Sequence, residues 1–122
     1  MFSVKDKVII VTGSDGGNGS AIVKGLKKLE AIVVGVDLPY WNITSNPHLH
    51  HLVDHTLKHN GKIDGLINCA GITRGNDLFE YTDEDWEDTY KVNLKAPFEL
   101  SKEVAKHMKD HGGSIINITS LN

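Results

Sequence analysis

Lys7-Val8-Ile9-Ile10-Val11-Thr12-Gly13-Ser14-Asp15-Gly16-Gly17-Asn18-Gly19 decides the fold. An almost unbroken β-branched run leads straight into a turn with four glycines, and Ala21, Ile22, Gly25, Leu26 and Leu29 follow at helical spacing. A short apolar run of that kind suits a parallel strand buried on both faces. Strand, glycine turn and amphipathic helix in succession open a βαβ unit. Among Gly13, Gly17 and Gly19, such a turn needs one glycine for the tight bend, one for close approach to a pyrophosphate and one for helix–strand packing. The amides beyond Gly17 then face the anion. Ala31-Ile32-Val33-Val34-Gly35-Val36-Asp37 reads as a second buried strand and ends in an acid. A carboxylate there accepts both ribose hydroxyls of an adenosine and repels a 2′-phosphate. No Lys or Arg lies between Ser14 and Ser20 or directly after Asp37 to neutralise that phosphate. The turn therefore reads as a dinucleotide site that prefers NAD to NADP. A plain strand-to-helix loop and a solvated strand-end aspartate are the alternatives.

Further along, residues 38 to 49 hold Pro39 and Pro47 and no helical stripe, which predicts a loop. His51-Leu52-Val53 reads as a brief third strand, followed by about two turns of helix before Gly61. Ile63-Asp64-Gly65-Leu66-Ile67-Asn68 reads as a fourth strand. Thr82-Asp83-Glu84-Asp85 is a capping box, and Trp86, Tyr90, Leu94, Phe98 and Val104 continue as an apolar stripe. Acids crowd the start of this long helix and Lys102, Lys106 and Lys109 its end, as the helix dipole favours; Gly112 and Gly113 close it. Ser114-Ile115-Ile116-Asn117-Ile118-Thr119 reads as a fifth strand. The expected architecture is α/β, a three-layer Rossmann-like sandwich with a parallel sheet in the order 3-2-1-4-5, in one domain over residues 1–122.

Composition narrows the function classes. A chain of 122 residues with 39% hydrophobic and 24% charged residues fits one soluble globular domain. A net charge of -3 argues against a nucleic-acid or anionic-membrane surface. Cys69 stands alone, so an internal disulfide is excluded and a reducing compartment is favoured. Neither a membrane-length apolar run nor a signal-peptide core is present, and the expected location is the cytoplasm.

Several motifs together resemble the short-chain dehydrogenases/reductases in order and spacing: Thr12-Gly13-x-x-x-Gly17-x-Gly19, Asp54, Asn68-Cys69-Ala70-Gly71, Asn93, and Asn117-Ile118-Thr119-Ser120. The stretch from Ala70 through Arg74, Asp85-Trp86 and Val92-Asn93-Leu94-Lys95 is most similar to 3-oxoacyl-carrier-protein reductases and related sugar dehydrogenases. The resemblance covers the whole chain but only the N-terminal half of a family member. It implies hydride transfer between NAD and a secondary alcohol or ketone. By it, Gly13, Gly17 and Gly19, with Asp15 and Asn18 beside them, line the pyrophosphate. Asp37 takes the ribose and Asp54 the adenine, and Asn68, Ala70 and Gly71 shape the cofactor wall. It makes Ser120 the serine that hydrogen-bonds the substrate carbonyl. It makes Asn93 the asparagine whose main-chain carbonyl holds a water of the proton relay. The residues are consistent with that last role, because Pro97, four residues on, has no N–H to give the Asn93 carbonyl; a plain proline kink is the alternative.

There are departures from the family pattern. Asn18 stands for the usual isoleucine, Asp15 brings negative charge near the phosphates, and Cys69 replaces an asparagine. The segment from Leu38 to Ile63 is short, so one or both helices there are trimmed. The family's Tyr-x-x-x-Lys pair is absent: four residues after Tyr40, Tyr81 and Tyr90 stand Thr44, Asp85 and Leu94. Such a chain is expected to be truncated after its fifth strand and inactive alone. The alternatives are an active oxidoreductase completed by a second chain, and a non-catalytic nucleotide-sensing or oligomerisation scaffold. His51, His55 and His59 have i, i+4 spacing, but no completed ligand set accompanies them and no metal site is expected. The fifth strand should be an edge, and the long helix should keep a bare apolar face. Self-association into a dimer or tetramer through those surfaces is the expected outcome. Light scattering at micromolar concentration should give a mass above that of one 122-residue chain; a monomer mass would refute it.

Overall fold

Val8, Ile9, Ile10, Val11 and Thr12 form β1 (Val8–Thr12), and all five are buried in the computed structural model, which describes residues 2–75 and 77–119. The chain continues through α1 (Gly17–Lys28), β2 (Ile32–Val36), α2 (Asn46–Asn60), β3 (Gly65–Asn68) and α3 (Asp83–Tyr90). A π-helical turn (Lys91–Lys95), α4 (Ala96–Met108) and β4 (Ser114–Asn117) follow. The strands form one sheet in the order β2-β1-β3-β4, every pair parallel, with Ile10 opposite both Val34 and Leu66. Parallel strands need crossovers, and the helices supply them on both faces of the sheet.

On one face α2 contributes Leu49, Leu52 and Val53 and α4 contributes Leu100, Val104 and Met108 to a cluster around Ile10 and Leu66. On the other, Ile22, Val23 and Leu26 of α1 pack over Ile9 and Val11. Each fully buried aliphatic side chain stabilises the fold by about 1.5–3 kcal/mol relative to exposure, so the α2–α4 layer is the larger contributor. No helix among the described residues is long and apolar enough to cross a membrane.

The parallel three-layer sandwich is present, but the five-strand order 3-2-1-4-5 is not. His51-Leu52-Val53, expected as a third strand, lies inside α2. Leu49, Leu52, Val53 and Thr56 are buried at i, i+3, i+4 and i+7, the stripe of a helix packed by one face. Pro47, taken as a loop signal, sits in the first turn of α2, where its missing N–H costs nothing. Gly61 closes the helix in the left-handed region at φ 76°. A single helix therefore makes the whole crossover from β2 to β3. Among the described residues no strand lies beyond β2, so it is an edge; Ile32 and Gly35 are exposed rather than buried on both faces.

The long helix begins as expected. The Thr82 hydroxyl accepts the Asp85 amide at 3.0 Å and the Asp85 carboxylate accepts the Thr82 amide at 3.1 Å. It then widens. Pro97 gives no hydrogen bond to the preceding turn, and the helix responds with the π turn, where the Ala96 amide reaches the Lys91 carbonyl five residues back. Trp86, Leu94 and Phe98 remain between 61% and 65% exposed, and every residue of β4 is exposed. Both features match the bare helix face and edge strand expected from the sequence.

At the N-terminal ends of β1 and β3, Asp64 joins the two strands. Its carboxylate accepts the Val8 amide at 2.9 Å and pairs with the Lys62 ammonium at 2.9 Å. Burial pushes its pKa up, but the Val8 amide and Lys62 and Lys7 outweigh it and hold the carboxyl below its ordinary value. A depressed carboxylate contributes fully above its unfolded-state pKa of about 3.9 and ceases to as pH falls through the lower native value. Asp64→Asn should lower stability by about 1–2 kcal/mol at pH 7 in urea titrations, with the gap to the parent narrowing below about pH 4.

Candidate functional site

The C-terminal ends of β1 and β3 meet at a threonine. Thr12 is buried, and its Oγ1 accepts the Cys69 amide at 3.0 Å and the Ala70 amide at 3.1 Å. Gly13 follows at φ 65°, and a Cβ there would sit 2.8 Å from the Ala70 backbone, so only glycine fits the turn against the β3 loop. A Cβ on Gly19 would collide with the Gly13 carbonyl. Gly16 is the N-cap of α1; no side chain caps this end, and no acid lies in the first turn. First-turn amides without a side-chain cap, at the positive pole of a helix, form a seat for an anion. A Cβ on Gly17 would meet nothing within 4 Å, so the space beside that seat is open.

Asp37 follows β2 at the rim of the same turn. Its Oδ2 accepts the Asp15 amide and its Oδ1 the Leu38 amide, both at 2.9 Å. A carboxylate offers about four lone-pair directions, so two backbone donors orient it and leave acceptors for two further donors. Asp15 thus enters the site through its backbone, while its side chain, like that of Asn18, is exposed. Between the turn, Asp37 and the β3 loop lies a groove of about 240 Å³, whose lining includes Gly13, Gly16, Ala70 and Gly71 with Trp41 and Val92. An anion seat, an oriented carboxylate and an apolar slot can receive a phosphate, a ribose and a flat base.

The remaining candidates are placed unevenly. Asn93 is exposed, and its amide clasps the β3 loop: Oδ1 accepts the Ile72 amide and Nδ2 donates to the Ile72 carbonyl, both at 2.8 Å. Asn68 is buried and donates to Asn117 Oδ1 at 2.9 Å and Ser101 Oγ at 3.2 Å, joining β3 to β4 and α4. Asp54 is exposed on α2 and does not line the groove; its expected place after a third strand disappears with that strand. Ser120 lies outside the described residues. His51, His55 and His59 do share a face of α2, with His55 and His59 ring centroids 4.3 Å apart; among the described residues no group of three ligand-type side chains could hold a metal ion. Sequence reasoning missed Trp41, whose segment read as loop. The spacing to Asp37 was the available signal: the Trp41 amide bonds the Asp37 carbonyl at 3.0 Å, closing a turn.

A family model described as short chain dehydrogenase matches residues 39–122, beginning beyond the glycine turn. The chain is 31% identical to 2-dehydro-3-deoxy-D-gluconate 5-dehydrogenase of Escherichia coli strain K12, over 98% of this chain and 56% of that protein. It is 30% identical to a 3-oxoacyl-acyl-carrier-protein reductase of Thermotoga maritima, over 97% of this chain and 57% of that protein. Among solved structures, the aldohexose dehydrogenase of Thermoplasma acidophilum in ligand-free form superposes with a TM-score of 0.89 at 28% identity, covering 96% of this chain and 50% of that one. The chain spans about half the length of the curated relatives it matches.

Thr12→Val keeps the shape of the side chain and removes the acceptor for two amides. Leaving them unsatisfied should cost about 1–3 kcal/mol each, and urea unfolding should show a loss within the sum of those ranges. Stability equal to the parent's would mean that water or a shifted loop replaces the hydroxyl.

Proposed function

The chain belongs to the short-chain dehydrogenase family, and we propose that it forms the nucleotide-binding half of an oxidoreductase site, taking NAD in preference to NADP. The reaction would be hydride transfer between the nicotinamide and a secondary alcohol or ketone, which is in keeping with relatives that are themselves a dehydrogenase and a reductase. The observation that carries this reading is the pairing of the uncapped α1 N-terminus with Asp37, fixed at the same rim by the Asp15 and Leu38 amides. The residues suit the adenosine end of a dinucleotide. In this reading the α1 amides hold the pyrophosphate and the two remaining acceptors of Asp37 hold the ribose hydroxyls. Its charge, with no lysine or arginine from Ser14 to Ser20, disfavours a 2′-phosphate. The bound cofactor supplies the carbon that gives or takes hydride.

The chain's own part is binding and orientation. Asn93 positions the β3 loop through its side chain and lies within the π turn, and Pro97, four residues on, has no N–H to give the carbonyl assigned to the relay water. Ser120 is assigned to the substrate carbonyl by family resemblance alone. No Tyr-x-x-x-Lys pair occurs in the sequence, and Tyr81 is engaged with Asp85 and Thr89, so the chain by itself should turn over nothing. Self-association of a cytoplasmic protein through β4 and the exposed α3–α4 face accompanies this reading, supported by the exposure of Ile116, Trp86, Leu94 and Phe98.

Calorimetry tests it. NAD and AMP should bind, and NADP should bind at least about tenfold more weakly. Asp37→Ala should weaken NAD by about tenfold and narrow the gap to NADP, while NADH oxidation with ketones stays at background. No heat with NAD, NADH or AMP would sink the proposal and leave a structural role.

A further inference from the structure

We propose that Trp41 is the adenine-stacking wall of this site, in the place the family resemblance gave to Asp54; the inference rests on the adenosine reading above. Three observations carry it. The crossover from β2 to β3 is a single helix, and Asp54 is exposed on that helix rather than lining the groove. An adenine bound next to Asp37 therefore needs another wall. Trp41 lines the groove with Ile43 and Val92, and the turn closed by its amide on the Asp37 carbonyl sets its backbone relative to the carboxylate. Adenine is one glycosidic bond from the ribose that this carboxylate would hold, so a bound base would occupy the groove that Asp37 and Trp41 both line. The ring is also held by its neighbours. It packs against the main core cluster, and its centroid lies 5.6 Å from the His51 ring and 5.9 Å from the His55 ring of α2. A half-buried indole held in this way loses little rotamer freedom on contact with a base, which is what an aromatic platform requires.

This assigns a use to the shortened crossover. The adenine subsite is built from the turn after β2, where the chain spends two bulky apolar residues, Trp41 and Ile43, on the groove side. Stacking is tolerant of base identity, so the wall supplies affinity while Asp37 supplies the choice between NAD and NADP.

The test is titration of AMP and NAD into the parent chain, Trp41→Phe and Trp41→Leu, with thermal melts to show that each variant is folded. Trp41→Phe keeps an aromatic face and should stay within about threefold of the parent, whereas Trp41→Leu keeps apolar bulk without it and should bind about 5- to 150-fold more weakly. In a Trp86→Phe background Trp41 is the only indole, and its emission should be quenched by AMP with the calorimetric midpoint. Equal affinity in all three chains, or an equal loss in the two Trp41 variants, overturns the stacking role while leaving the nucleotide site standing. A parent chain that binds neither AMP nor NAD overturns the adenosine reading and this inference with it.

Discussion

The lack of room for a β-carbon between Gly13 and Ala70 governs the rest of the structure. Because the turn passes that close to the β3 loop, the Thr12 hydroxyl can take the Cys69 and Ala70 amides together, and the two central strands end at a common point. The uncapped start of α1 is aimed from that point, and the loop running to Ile72 is held on its far side by the Asn93 amide. A substitution that pushed these backbones apart would disturb the anion seat, the groove wall and the helix that clasps the loop. The position is thus constrained by sterics before any ligand is considered.

Replacement of the expected third strand by α2 reshapes the outer half of the site. It leaves β2 at the margin of the sheet, with Asp37 at the rim and its carboxylate steadied by the Asp15 and Leu38 backbone amides. It also turns the segment after Asp37 into a short folded connection that lays Trp41 and Ile43 along the groove. Asp54 leaves the site by the same change, because a residue beside the buried Val53 on a packed helix faces water.

Much of this was legible in the sequence because its signals are local. The β-branched run of β1, the glycines of the turn, the Thr82–Asp85 capping box and the positive-φ Gly112 each act within a few residues, and each stands where the pattern placed it. The two turns of helix expected before Gly61 are present, but the segment from His48 to Val53 was misread because two rules competed. Leu52-Val53 looks like a strand in isolation, whereas Leu49, Leu52, Val53 and Thr56 form a helical stripe only when Pro47 is taken as a first-turn residue. The exposure of β2 was out of reach for the same reason, since an edge is defined by the strand that is absent. In the site, Gly13 and Asp37 follow from residue type and order. The Asp15 amide on Asp37, the Asn93 clasp and the placement of Trp41 depend on side chains and turns that meet only after folding. The π turn was half legible: Pro97 announced a lost donor, but not that the helix would widen to absorb it.

Strands β1 and β3 are fastened at both extremities, by Thr12 at one and at the other by Asp64, whose carboxylate and amide engage the Val8 amide and carbonyl. Neither strand can slide past its neighbour without breaking bonds at both fastenings. The outer strands have a free side, so local opening can start there at lower cost. Deuterium entering the sheet from its margins would therefore reach the amides of Ile10 and Leu66 last, when the whole domain opens.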